Sequence, residues 1–201
     1  LGTVDEDGIF GQRFNALGDP IGGQFAINTT SKDVQEQPAV AMDSAGNFVV
    51  AWRSYDQGGI IARLFSSSGA ASAEFRVNTT LGTHVRTPDV AMDADGDFTI
   101  VWTAAEQDNG SMGVFAQRYN KSGARLGGEF RVNQYQTSEQ ESPRIAMDDL
   151  GNSVIVWQSF GQDGSGYGIY GRRYNASGAA QGNEFRVNTY TPDWQFEPAV
   201  A

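Results

Sequence analysis

Residues 88–102 read Pro88-Asp-Val-Ala-Met-Asp-Ala-Asp-Gly-Asp-Phe-Thr-Ile-Val-Trp102: a short apolar segment, an Asp-x-x-Gly turn, and a second apolar run closed by tryptophan. Aspartate suits the first position of a type I turn, and glycine supplies the left-handed residue that completes a three-residue hairpin loop. The same phrase runs from Pro38 to Trp52 and from Pro143 to Trp157, and starts again as Pro198-Ala-Val-Ala201. The prolines are 50, 55 and 55 residues apart. Self-similarity at such a period marks a tandem array.

Two further phrases keep the same step. One is Phe25-Ala-Ile-Asn28, repeated as Phe75-Arg-Val-Asn78, Phe130-Arg-Val-Asn133 and Phe185-Arg-Val-Asn188. The other, Gly8-Ile-Phe-Gly-Gln-Arg-Phe-Asn15, returns from Gly59, Gly113 and Gly168. Each unit then holds four short segments rich in Val, Ile, Phe, Tyr and Trp, separated by turn residues. None is long enough for a helix or spaced at i, i+3, i+4. The predicted fold is all-β: a β-propeller of four-stranded antiparallel blades, with about four repeats present, part of a larger propeller or array. The predicted division is a single repeat domain over 1–201, with a partial blade at 1–28, blades at 38–78, 88–133 and 143–188, and a partial blade at 198–201. Small residues (Ala41, Ala91, Ala146) suit a crowded inner strand, and arginine between Phe and Val in the fourth segment blunts an outer edge. A β-solenoid or a tandem sandwich explains that inner-to-outer gradient less well.

Composition narrows the function classes. Fourteen Lys and Arg against 24 Asp and Glu give 201 residues a net charge of −10, which opposes phosphate-led nucleic-acid binding. Cysteine is absent, so neither a disulfide framework nor a thiolate zinc site is possible. A single histidine, His84, leaves little for a His-based triad and reads as a solvated loop residue. No apolar run approaches the roughly 18 residues of a membrane span.

In an up-and-down meander the second and fourth connections share one end, and there the copies diverge. That end is the expected binding face. Tyr55, Tyr135, Phe160, Tyr167, Tyr190, Trp194 and Phe196 collect on it, and Trp194 is the only tryptophan outside the repeat pattern. Such rings form a stacking platform for a glycan or an anchor for an extracellular protein, or else cover the sheet ends. Asp5, Asp7, Asp56, Asp108 and Asp163 recur among glycines in the second connection, which suggests Ca2+ ligands in a loop. Asp-Gly is equally a hairpin signal. Asp93-Ala-Asp-Gly-Asp97 begins like a calcium loop but has its glycine misplaced. The Asn-x-Ser/Thr sites (Asn28, Asn78, Asn109, Asn120, Asn175) coincide with strand ends and turns, where asparagine bonds its own backbone.

Ala-Met-Asp-x-x-Gly followed by an apolar run and tryptophan, Gln162-Asp-Gly-Ser-Gly-Tyr-Gly-Ile-Tyr170 and Glu184-Phe-Arg-Val-Asn188 together resemble the Gly/Asp-rich tandem repeats of large secreted or surface-attached bacterial proteins. The resemblance covers nearly the whole chain. It implies an extracellular setting and transfers no catalytic residue, since the shared positions are turns and core. The leading functional expectation is a binding or adhesion module with no bond-making step. A structural spacer comes second and a glycoside-active enzyme last. An enzyme needs two carboxylates, roughly 5–5.5 Å apart if retaining and 6.5–9.5 Å if inverting. Glu36 with Asp89, or Glu139 with Glu141, are possible pairs, and the sequence does not choose between them.

Overall fold

The computed structural model describes residues 8–30, 32–80, 84–108 and 111–201. Strands β1 (Phe10–Phe14) and β2 (Pro20–Ala26) pair as a two-stranded sheet. Three four-stranded antiparallel sheets follow. The first holds β3 (Gln35–Met42), β4 (Phe48–Ser54), β5 (Gly59–Phe65) and β6 (Phe75–Arg76). The second holds β7 (Val85–Met92), β8 (Phe98–Asp108), β9 (Ser111–Tyr119) and β10 (Phe130–Arg131). The third holds β11 (Gln140–Met147), β12 (Ser153–Phe160), β13 (Tyr167–Tyr174) and β14 (Phe185–Arg186). Within each sheet the strands lie in chain order, so each is a meander whose first strand is at one edge. No helix of the described residues is long and apolar enough to cross a membrane.

The turn chemistry acts as its residues dictate. Asp43 Oδ1 accepts from the N–H groups of Ala45 and Asn47 at 2.9 and 2.8 Å, and Asp148 does the same for Leu150 and Asn152. Asp93 Oδ1 takes Asp95 and Asp97 N–H at 3.0 and 2.9 Å, closing the same turn. The strand-end asparagines are engaged too. Asn28, Asn78, Asn133 and Asn188 each accept from a third-strand N–H and donate 2.7 Å to the carbonyl two residues on.

Each sheet packs on the one before it. Trp102 is fully buried in a cluster with Val49, Ala51, Ile60 and Ala62 of the preceding sheet. Trp157 buries against Val101, Val114 and Ala116, and Trp52 against Ile9 and Ile27. The first strands β3, β7 and β11 touch in succession, which sets them at a common centre with the later strands radiating outward. The chain is thus an all-β propeller of four-stranded antiparallel blades.

Polar latches fix the spacing between blades. Glu129 accepts from Thr79 N–H and hydroxyl at 2.7 and 3.0 Å, and Glu184 accepts from Gln134 and Tyr135 N–H at 2.6 and 3.1 Å. Arg172 donates across the second of these joints to the Val132 carbonyl at 3.1 Å, and Arg63 donates across the joint between the β1–β2 sheet and the first complete blade to the Ile27 carbonyl at 2.7 Å.

A bulge interrupts the start of each first strand, and there Gln37, Thr87 and Ser142 take φ of 54°, 50° and 56°. Left-handed backbone at residues other than glycine costs about 1–3 kcal/mol each and gathers at functional sites. Glu197, just before Pro198, repeats the feature with φ 56°.

Candidate active site

The widened mouth of the third blade forms a groove of about 670 Å³ lined by Glu139, Glu141, Gln158, Phe160, Tyr167, Trp194, Phe196 and Glu197. Glu139 and Glu141 flank Gln140, and alternation along an extended chain turns both carboxylates to the same face. Gln140 points the other way, fully buried, with its amide nitrogen 3.0 Å from the Thr137 carbonyl.

Tyr167 begins β13 opposite Phe160 of β12. A glycine-rich turn, closed by Gly161 N–H on the Gly166 carbonyl at 2.8 Å, swings its phenol over the two acids. Tyr167 Oη lies 2.8 Å from Glu139 Oε2 and 2.9 Å from Glu141 Oε1. The two carboxylate oxygens therefore stand no further apart than those two bonds laid end to end. Burial raises the phenol's pKa far above its ordinary value, and the two carboxylates raise it further through their hydrogen bonds and charge. It remains a donor with a single proton, so it serves one carboxylate at a time and leaves the other to a ligand.

The two acids are held differently. Glu141 Oε2 accepts from Arg86 of the neighbouring blade at 2.6 Å, and its Oε1 from Gln158 Nε2 at 3.1 Å as well as from Tyr167. Charge-assisted bonds of this kind are short and fix a carboxylate's orientation. The carboxylate of Glu139 is bonded to Tyr167 alone among the described residues and belongs to an exposed side chain.

Residues 189–197 strap back over this mouth. Gln195 N–H donates to the Tyr167 carbonyl at 2.7 Å, and Gln195 is pinned in turn by Asn188 at 3.0 Å. Trp194 thereby meets Tyr167 and Phe160 edge to face, with centroids 5.5 and 6.3 Å away. Its indole is 61% exposed, a flat apolar surface at the groove's rim.

Of the aromatic residues expected on one face, Tyr167, Phe160 and Trp194 meet ring to ring, and Phe196 lines the same groove. Tyr55 instead lies in the first complete blade beneath the Arg53 guanidinium, 4.1 Å from its centroid, with its hydroxyl 3.3 Å from Glu36. Tyr135 and Tyr190 sit on fourth connections outside the groove lining. Of the other possible pair, Glu36 is bonded to Arg53 at 3.0 Å, and Asp89 accepts from Ile145 N–H at 2.9 Å. His84 is exposed on the approach to β7.

Among the described residues, the acids suggested for calcium are each engaged within their own blade. Asp56 is bonded to the Ser54 hydroxyl and to Gln35 at 3.0 Å. Asp163 Oδ1 takes Ser165 N–H at 3.2 Å, and its Oδ2 is packed against Gly168. Asp5, Asp7 and Asn109 lie outside the described residues, as does the side chain of Asp108. No three acidic or histidine side chains among the described residues gather to hold a metal ion.

No protein-family profile and no curated protein matches the chain. Similar solved structures include an endo-arabinase from Bacteroides thetaiotaomicron VPI-5482, at 17% identity and a TM-score of 0.48, over 75% of this chain and 59% of that one. Another is an endo-1,5-alpha-L-arabinanase from Thermotoga petrophila RKU-1, at 13% identity and a TM-score of 0.45, over 77% and 43%. A third is an alpha-L-arabinanase mutant from Cellvibrio cellulosa, at 12% and a TM-score of 0.47, over 78% and 61%. The chain spans less than two thirds of each of these proteins.

The groove corrects the functional order drawn from the sequence, which puts adhesion first and an enzyme last. The matching structures are named as arabinanases, and at these identities the likeness is one of fold. The groove itself holds what the sequence left undecided, one carboxylate pair joined by a phenol.

Proposed function

We propose that this groove is the active site of a glycoside-acting enzyme in an extracellular setting, the setting that the Gly/Asp-rich repeat resemblance implies. The observation that carries the reading is the Tyr167 phenol held between Glu139 and Glu141. Two bonds to one phenol oxygen hold the bonded carboxylate oxygens closer than the roughly 6.5–9.5 Å of an inverting pair, which favours the shorter, retaining arrangement of roughly 5–5.5 Å.

In this mechanism Glu139, the less constrained acid, gives a proton to the leaving glycosidic oxygen. Glu141, anchored by Arg86, Gln158 and Tyr167, attacks the anomeric carbon. Water then enters with Glu139 as base, and the sugar departs with its configuration retained. Trp194 and Phe196 offer a stacking wall to an adjoining sugar, whose apolar face suits an aromatic ring. The ligand's hydroxyls complete whichever carboxylate Tyr167 is not serving.

The test is release of reducing ends from a panel of polysaccharides, arabinan and xylan included, with the product's anomeric configuration followed by proton NMR. Cleavage with retention is expected for at least one polymer. Cleavage with inversion contradicts the assignment of roles, and no cleavage of any polymer contradicts the enzyme reading.

A further inference from the structure

Strand β1 repeats the third strand of a unit, since residues 8–14 match 59–65, 113–119 and 168–174. In the three complete sheets that strand pairs on one side with the second strand and on the other with the fourth. β1 pairs with β2, its fourth-strand partner, and its second edge is open among the described residues.

Side-chain burial records the same gap. Phe65, Tyr119 and Tyr174 end their third strands 3%, 1% and 5% exposed, whereas Phe14 in the same position is 59% exposed. On the facing first strand, Val90 and Ile145 are 5% and 6% exposed, but Val40 is 65% exposed. Between β1 and β3 runs an apolar cleft of about 640 Å³, lined by Phe10, Phe14, Ile21, Val40, Met42 and Phe48 among others. An open strand edge beside an apolar face is a template for another strand.

We propose that this cleft is a docking surface for one β-hairpin of the repeat's own type, an Ala-Met-Asp-x-x-Gly turn leading into an apolar strand that ends in tryptophan, supplied by a further unit of the same repeat. The argument is continuity: the chain makes this blade-on-blade interface between its own complete sheets, and the cleft is the next position in the series. Trp52, Trp102 and Trp157 stand opposite Ile61, Phe115 and Tyr170, so the incoming tryptophan stands opposite Phe10. Phe48 stands opposite Phe65 and Phe98 opposite Tyr119, so the first residue of the incoming strand covers Phe14. The hairpin's other strand lies on β3 as β3 lies on β7, covering Val40 and Met42.

The probe is a synthetic peptide of this chain's own residues 143–160, which carries the Asp148 turn and Trp157. Backbone amide exchange of residues 10–14 is followed as it is added, and Val40→Asp, a change at an exposed site, serves as the competitor variant. The same hairpin joined ahead of residue 1 by a flexible linker provides the intramolecular arm. Slowed exchange across β1, with at least tenfold weaker peptide binding by Val40→Asp, is the expected result. Unchanged exchange in both arms overturns the proposal, as does peptide binding that Val40→Asp leaves intact.

Discussion

Gly166 lies so close under Trp194 that a methyl group on it would stand 2.3 Å from the indole Cδ1. Neither the indole nor the Asp193 carbonyl, 3.0 Å from the same point, leaves room for one. The glycine thus sets the position of the exposed ring at the rim of the groove. Gly166→Ala is expected to displace Trp194 with little loss of fold, because the strap is at the surface. If the ring stacks on a sugar, KM rises about 3- to 10-fold with kcat nearly unchanged, the scale of an aromatic contact. Steady-state kinetics of Gly166→Ala, Trp194→Ala and the double variant check this, and the double variant should lose no more than Trp194→Ala alone.

The repeat tryptophans are alike in burial and unlike in bonding. Trp52 Nε1 donates to Gln35 at 2.9 Å, while Trp102 Nε1 is buried without a partner. Replacing each with phenylalanine removes similar volume, but only Trp52→Phe strands a buried acceptor. Trp52→Phe should cost about 1–3 kcal/mol more than Trp102→Phe in urea unfolding, the usual penalty for an orphaned buried group.

Glu129 joins the second blade to the loop that leaves the first through two bonds to Thr79. Its partial exposure limits the contribution of each bond. Glu129→Ala is expected to lower stability by about 1 kcal/mol, read as a fall in the urea midpoint with the slope unchanged.

Stability should also vary with pH through Asp89. Burial raises its pKa above the ordinary carboxylate value, outweighing bonds from the N–H groups of Ile145 and Val90 and the charge of Arg144. The folded state then keeps this proton to higher pH than the unfolded chain. The contribution is fully present below the ordinary carboxylate range and is lost as pH rises through the raised folded value. Asp56 acts in the opposite sense. Burial works to raise its pKa, but bonds from Ser54, Gln35 and the backbone outweigh it, and its contribution is lost as pH falls. Asp89→Asn keeps an acceptor for Ile145 and removes the charge. Relative to the native chain, it should be more stable at neutral pH and gain nothing in acid, as thermal melts across that range would register.

The blade was largely legible in sequence because its signals are local. Asp43, Asp93 and Asp148 close turns with the neighbours that the spacing implied, and Trp52, Trp102 and Trp157 are core as their apolar runs required. The left-handed residues were not legible. Gln37, Thr87, Ser142 and Glu197 have no one side-chain type in common; a bulge accompanies the first three, and Glu197 N–H meets Gln158 Oε1 at 3.1 Å. Likewise Thr87 N–H reaches Gln37 Oε1 at 2.8 Å and Ser142 N–H reaches Thr103 Oγ1 at 3.2 Å.

The site divides in the same way. Glu139-x-Glu141 was visible as a same-face pair, but Glu36 occupies the position of Glu141 in the first complete blade and is bonded there to an arginine. What singles out the third blade is Tyr167, more than twenty residues away along the chain. The signal was present: Tyr167 stands before the repeat glycine where the sister units carry Gly58 and Met112. Of the seven aromatics grouped on one face, Tyr55, Tyr135 and Tyr190 lie outside the groove lining.

The most direct measurement is the rate of glycosidic cleavage by Glu139→Gln and Glu141→Gln, each shown to melt like the native chain. With an acid–base group contributing about 10²–10⁴-fold, both variants should lose at least a hundredfold in kcat on the preferred polymer. Cleavage by the double variant at the native rate would contradict the assignment of these carboxylates to the reaction.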